Sequence, residues 1–185
     1  MTTRQKIVQL GFASGVLLGA VCPKAHGVVQ DISILGAMML QPTSNYYHAS
    51  YGALATIGMD DDTLFFRVGL IERPKFNSAG FEDQESHIFA GIGTSPWQKK
   101  PFRLRALLGY GSMAGFIQQK NNPSAEKRSF QLTGATVAME FSATYDYVDI
   151  GAGHQQFIGL ADQIQTDAYV AWPYSFIYTK IGFRY

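Results

Sequence analysis

The chain has 185 residues, 15 of them Lys or Arg and 14 Asp or Glu, for a formal charge of +1. That length allows one domain with a sizeable core, and the near-neutral charge gives no electrostatic case for nucleic acid. Nineteen Gly, ten Tyr and thirteen Phe favour strands, while a mean hydropathy of −0.03 with no interior apolar run of helical-span length excludes a bundle of membrane helices. A membrane β-barrel escapes that exclusion, because every second residue of each strand faces its lumen.

Residues 1–27 read as a secretory signal peptide. Arg4 and Lys6 supply the positive start, Ile7 to Val21 the apolar middle, and Ala25-His26-Gly27 the small residues a signal peptidase reads. Cys22 raises the question of lipidation, but Val21 is too large for the residue before a lipidated cysteine and Gly19 stands where Leu is expected. Cleavage after Gly27 would leave no cysteine, so disulfides play no part in the stability of the mature chain.

Residues 28–185 read as eight alternating segments separated by turn-rich stretches. The first, Val28 to Leu40, sets Ile32, Ile34, Gly36, Met38 and Leu40 against Asp31, Ser33 and Ala37. After Pro42-Thr43-Ser44-Asn45, the second (Tyr46 to Gly58) sets Tyr47, Ala49, Tyr51, Ala53, Ala55 and Ile57 against His48, Ser50, Gly52, Thr56 and Gly58. Asp60-Asp61-Asp62 makes a polar turn. The third, Thr63 to Arg73, opposes Leu64, Phe66, Val68 and Leu70 to Arg67, Gly69 and Arg73, and a polar loop is expected over Pro74 to Glu85. The fourth, Ser86 to Thr94, opposes Ile88, Ala90 and Ile92 to His87, Gly91 and Gly93, with a turn over Ser95 to Pro101.

The fifth segment alternates most clearly: Phe102, Leu104, Ala106, Leu108 and Tyr110 against Arg103, Arg105, Gly109 and Gly111. Its apolar row begins and ends on an aromatic, as a membrane-crossing strand with interfacial girdles should. An exposed loop spans Gln118 to Lys127. The sixth, Arg128 to Phe141, places Val137, Met139 and Phe141 opposite Gly134, Thr136 and Glu140, and a turn is expected over Ser142-Ala143-Thr144. The seventh, Tyr145 to Phe157, sets Val148, Ile150 and Ala152 against Tyr147, Asp149, Gly151 and Gly153, with Asp146 falling on the apolar face. A loop is expected over Ile158 to Thr166, and the eighth, Asp167 to Tyr185, should bulge or rise above the bilayer near Pro173, which cannot donate to a ladder. Its last stretch puts Ile177, Thr179, Ile181, Phe183 and Tyr185 on one face and Phe176, Tyr178, Lys180, Gly182 and Arg184 on the other.

This is an all-β pattern: an eight-stranded antiparallel up-and-down barrel over 28–185. A soluble barrel such as a lipocalin would have to hold bulky apolar rows from every strand inside and turn Gly and Arg to water. With the apolar rows toward lipid, Asp31, Arg67, Arg103, Arg105, Glu140, Asp149, Lys180 and Arg184 share a narrow lumen. Eight strands leave an interior that side chains fill, so these charges should pair into a plug; a gated ion path needs a wider bore. Arg105 and Glu140, on neighbouring segments and at similar depth, are expected to meet.

The leader, the strand number, the loop asymmetry and the ending Ile181-Gly182-Phe183-Arg184-Tyr185 resemble the small eight-stranded outer-membrane proteins, the group holding the OmpX/Ail-type barrels and the membrane domain of OmpA. No peptidoglycan-binding domain follows the barrel, a departure from full-length OmpA. The resemblance implies residence in the bacterial outer membrane and a non-enzymatic structural or surface role through the loops. It implies Phe183 and Tyr185 as the signal read by the barrel-assembly machinery. It also implies a monomer surrounded by lipids and lipopolysaccharide, with no cofactor. The alternative is a hydrolase of lipid A, like the 3-O-deacylase barrels, whose His-x-Ser pair lies on a late strand. Here His154-Gln155-Gln156 puts Gln156 where that serine should be, and Asp162 follows. His48-Ala49-Ser50 has the spacing but lies early and points inward. No metal-ligand or phosphate-loop spacing is present.

Overall fold

The computed structural model describes residues 28–40, 47–59, 63–78, 81–119, 128–163 and 173–184; residues 1–27 and Tyr185 lie outside them, so the signal peptide and the last aromatic have no structural account. Eight strands form a closed antiparallel barrel in chain order: β1 (Val28–Leu40), β2 (Tyr47–Met59), β3 (Phe65–Ser78), β4 (Phe81–Lys99), β5 (Phe102–Gln119), β6 (Arg128–Tyr145), β7 (Val148–Gln163) and β8 (Pro173–Arg184). Closure comes from β8 lying against β1, in register from Asp31 opposite Arg184 to Leu40 opposite Ser175. No strand is left as an edge, which satisfies the backbone without water.

Period-two alternation decides what faces where. Ile34, Leu108, Phe183 and Tyr110 are 67, 66, 62 and 61 % exposed, while their sequence neighbours Ser33, Leu107 and Leu35 are buried. The exposed rows are apolar and the buried rows carry the charges. That inverts the arrangement of a water-soluble barrel and suits a hydrocarbon exterior.

Glycines on the inner rows make room for large side chains. A Cβ on Gly93 would run into the ring of Phe65, and one on Gly153 would stand 2.5 Å from the Tyr178 hydroxyl and 2.8 Å from the Met139 carbonyl oxygen. At one end, an aromatic cluster marks the border of the apolar band: the ring of Phe141 stacks with Trp97 at 6.3 Å and with Phe102 at 5.7 Å.

The strands run further than the alternation alone implies. β3 and β4 continue through most of Pro74–Glu85, pairing as far as Ser78 opposite Phe81, and β7 continues to Gln163 through the first part of the loop expected over Ile158–Thr166. β4 also continues through the turn expected at Ser95–Pro101: a bulge between Thr94 and Trp97 restores pairing, and only Lys100-Pro101 turns. Ser142-Ala143-Thr144 is strand, paired with Gly151, Ile150 and Asp149. The turn there is Asp146-Tyr147, with Asp146 at φ 52°, so Asp146 does not belong to the apolar row, and Tyr147, exposed in the turn, does not belong to the inward row. Asn and Asp are the non-glycine residues most at ease in that left-handed region. Pro173 stands at the first position of β8, where its missing N–H costs least.

Candidate functional site

The lumen is the most highly organised part of the molecule, and it is layered. Toward the end with the short turns, alternation brings Asp31 (β1), Arg67 (β3), Arg105 (β5), Glu140 (β6), Asp149 (β7) and Lys180 (β8) inward, each buried. Three cations face three anions in one connected cluster. Glu140 takes a two-pronged contact from Arg67, Nη1 to Oε2 at 2.8 Å and Nη2 to Oε1 at 3.2 Å. Its Oε1 also accepts from Arg105 Nη1 at 3.2 Å, and the Tyr178 hydroxyl donates to Oε2 at 3.1 Å. Lys180 Nζ lies 2.6 Å from Asp149 Oδ2, 3.1 Å from Asp31 Oδ2 and 3.2 Å from Glu140 Oε1. Arg105 Nη1 reaches Asp31 Oδ2 at 3.1 Å.

Neutral groups finish the cluster. Ser33 Oγ donates to Asp31 Oδ1 at 2.6 Å, and Arg67 Nε donates to Thr56 Oγ1 at 3.0 Å. The ring of Phe65 lies under both guanidinium groups, 5.3 Å from Arg67 Cζ and 5.6 Å from Arg105 Cζ. Buried charges are tolerated only when paired and further hydrogen-bonded, and this cluster provides both. Arg105 and Glu140 are direct cross-strand partners in the β5–β6 register.

The two other basic residues expected in the lumen sit at its rim. Arg103 is half-buried and meets Thr144, whose hydroxyl donates to Asp149 at 2.6 Å; Arg184 is half-exposed, its backbone N–H donating to the Tyr147 carbonyl at 2.8 Å. Both lie at strand ends, where the barrel opens to water.

Beyond the ionic layer the lumen turns apolar. His87, 1 % exposed, packs against Phe157, Phe176 and Phe89 with ring centroids 4.7, 5.3 and 5.4 Å away. Ile71, Met113 and Leu132 are buried inner-row neighbours of this aromatic layer. Nδ1 of His87 lies 3.3 Å from Gln155 Nε2, and its Nε2 has no hydrogen-bond partner among the described residues. Above this layer Arg73 meets Glu85 at 3.2 Å. The alternation indicated that Arg67 and Glu140 face inward, but not that Arg67 reaches across the bore to Glu140. It put His87 in the lumen, but its aromatic cage depends on β7 and β8 lying across from β4.

The residues weighed for catalysis fall in two places. Ser50 is buried and donates to the backbone carbonyl of His48 at 3.4 Å, so the early pair shows no contact between hydroxyl and imidazole. His154 is exposed on the outer wall of β7, and its Nε2 lies 2.8 Å from Ser175 Oγ on β8. Ser175 stands directly opposite Gln156 in the β7–β8 register. The sequence alone could not pair residues 21 apart across a connection of unknown course. Phe183 lies on the exposed row of β8. No group of His, Cys, Asp and Glu among the described residues could hold a metal ion.

No protein-family model matches the sequence, and no curated protein does. Solved structures do. The chain is similar to Ail, the attachment invasion locus protein of Yersinia pestis, with TM-score 0.59 and 11 % identity over 87 % of this chain and 100 % of that one. It is similar to Neisserial surface protein A with TM-score 0.61 and 11 % identity over 88 % of this chain and 100 % of that one. The N-terminal barrel domain of Pseudomonas aeruginosa OprF gives TM-score 0.54 and 13 % identity over 88 % of this chain and 100 % of that domain. At such identities the likeness is one of fold: this chain has the architecture of the small eight-stranded bacterial outer-membrane barrels.

Proposed function

We propose that the protein is a rigid outer-membrane scaffold that presents loops at the cell surface, with a structural or surface-interaction role that needs no catalysis. The observation that supports this reading is the ionic cluster, in which three cations and three anions from six strands pair across the lumen. A plugged barrel acts through what it displays, and binding sites concentrate on loops held by rigid elements. The end with the short turns, Lys100-Pro101 and Asp146-Tyr147, would face the periplasm, and the β1–β2, β3–β4, β5–β6 and β7–β8 connections would face outward. The attachment recorded in the name of Ail, and its complex with the heparin analogue sucrose octasulfate, belong to a neighbour of the same fold and fit a display role.

The 118–127 segment carries Lys120 and Lys127, with Arg128 next to it, and would meet the phosphates of lipopolysaccharide. On the lipid row, Phe183 together with Tyr185 would be read by the barrel-assembly machinery. The test compares the intact protein with a variant whose 120–127 segment is replaced by Gly and Ser, both refolded in vesicles with and without lipopolysaccharide. Planar-bilayer recordings should show no steady conductance for either. Association with lipopolysaccharide should weaken in the variant at unchanged folded fraction. A stable, ion-selective conductance in the intact protein would remove the scaffold reading.

A further inference from the structure

We propose that His154 and Ser175 form a base–nucleophile pair on the outer wall of the barrel, able to cleave ester-bonded acyl chains of outer-leaflet lipids. This goes beyond display by the loops and shares with it only the membrane orientation. Polar side chains on a lipid-facing wall are costly and rare, so a cluster of them calls for a reason. Three meet here on adjacent strands: His154 and Gln156 on the outward row of β7, and Ser175 on that of β8. The imidazole Nε2 lies 2.8 Å from the serine oxygen, the separation needed for one to take the other's proton. A mere satisfaction of two stray polar groups would look the same at that bond, but two further features point to a substrate.

The first is height. Ser175 stands eight residues above Phe183 on the outward row of β8. Tyr51 stands eight above Met59 on β2, and Tyr110 eight above Phe102 on β5. Eight residues of tilted strand rise roughly 20 Å, most of the height of the apolar band. The pair therefore lies at the upper interface, the level at which acyl chains join their headgroups, and not in mid-hydrocarbon. The second is the surroundings. Met139 and Ile177 stand opposite His154 on its two sides and Val137 stands opposite Gln156, all exposed, so acyl chains have an apolar wall below the polar cluster. Gln156, directly opposite Ser175, carries an amide N–H that can donate to a developing oxyanion.

The chemistry closes without a co-reactant other than water. Ser175 Oγ attacks the ester carbonyl carbon while its proton passes to His154 Nε2. Collapse of the tetrahedral intermediate breaks the acyl C–O bond, and the departing alkoxide takes the proton from His154. Water, deprotonated by the same imidazole, then cleaves the acyl-serine, releasing a fatty acid and restoring Ser175.

The full chain, refolded in vesicles of phosphatidylethanolamine, phosphatidylglycerol and lipopolysaccharide, is assayed for free fatty acid by mass spectrometry. In parallel it is treated with a fluorophosphonate probe and the labelled peptide is mapped. The intact protein should release fatty acid and carry the probe on Ser175. Ser175→Ala should lose the label, and both Ser175→Ala and His154→Gln should lower release by about 100-fold or more. Ser112→Ala, on the same wall beside Gln131 with a 3.4 Å contact, should change neither readout. Heat-modifiable gel mobility verifies that each variant is folded. A folded intact protein that releases no fatty acid, a label on a different serine, or undiminished release by Ser175→Ala would each overturn the proposal.

Discussion

In the half of the lumen near the short turns, Arg67, Arg105 and Lys180 interlock with Asp31, Glu140 and Asp149. In the other half, His87 sits among the rings of Phe89, Phe157 and Phe176, with Met113 and Ile71 also buried. Both halves fill the same bore, but the forces that hold them differ in how they fail. Ionic contacts need each partner, because a charge left alone cannot return to water. Apolar packing needs volume, and comparable side chains can exchange at modest cost. One half should therefore respond sharply to the loss of a single atom's charge, and the other mainly to changes of size.

The largest effect is expected at Glu140, where four donors converge: Arg67, Arg105, Tyr178 and Lys180. Glu140→Gln keeps the shape and removes the charge, leaving three buried cations to two carboxylates. Denaturant unfolding of the refolded barrel should show a loss of about 3 kcal/mol. A loss below about 1 kcal/mol would mean that water reaches the cluster and that the two halves do not differ in kind.

Gly153→Ala adds only a methyl group, yet its Cβ would lie 2.5 Å from the Tyr178 hydroxyl and 2.8 Å from the Met139 carbonyl oxygen. Tyr178 must move, and its bond to Glu140 goes with it. About 2 kcal/mol is the expected cost by the same measurement, from overpacking and the lost contact together. A truncation that spares Gly153, Tyr178→Phe, isolates the hydrogen bond and should cost about 1 kcal/mol.

How much of this was legible beforehand follows from geometry. Alternation has a period of two, so a correct strand assignment sorts all its side chains at once, and Asp31, Arg67, Arg105, Glu140, Asp149 and Lys180 fell inward together. Strand ends carry no such signal. The strand ends over 74–78 and 81–85 read as loop because they are polar, but beyond the lipid band a paired strand has no need of an apolar row. Ser142 and Thr144 read as a turn for the same reason, although they are paired and help line the lumen. Contacts across the bore, Arg67 to Glu140 and His87 to Phe176, depend on barrel closure and are invisible to any local pattern. The His154–Ser175 contact joins two strands whose register is set only when β8 docks.

The cooperation within the ionic half can be separated from its single contacts by a double-mutant cycle. Asp31→Asn and Lys180→Met each leave a charge unbalanced, while the double variant removes one charge of each sign and restores neutrality. Their contact at 3.1 Å ties β1 to β8, the seam at which the barrel closes. The double variant should be more stable than the sum of the two single losses implies, by about 1 kcal/mol. Strict additivity would show that Asp149 and Arg105 screen the pair so fully that the seam draws nothing from it.

The smallest effect, and the one that most sharply separates the halves, is expected at His87. Its Nε2 is buried without a partner among the described residues, which costs about 1–3 kcal/mol in the folded state. His87→Phe removes that group, keeps an aromatic ring in the stack with Phe176 and Phe89, and adds apolar surface. Against this gain stand two losses. Gln155 gives up its 3.3 Å contact with Nδ1, and the larger ring presses toward Gly111, where even a Cβ would stand 2.7 Å from the present Nε2. Overpacking of that kind costs about 1–3 kcal/mol, so gain and loss nearly offset and the net change should stay within about 1 kcal/mol. His87→Ala in the same unfolding series should cost clearly more, because it empties the centre of the stack. Were His87→Phe to destabilise the barrel as much as Glu140→Gln does, the upper half would depend on a specific polar contact after all, and its distinction from the ionic half would collapse.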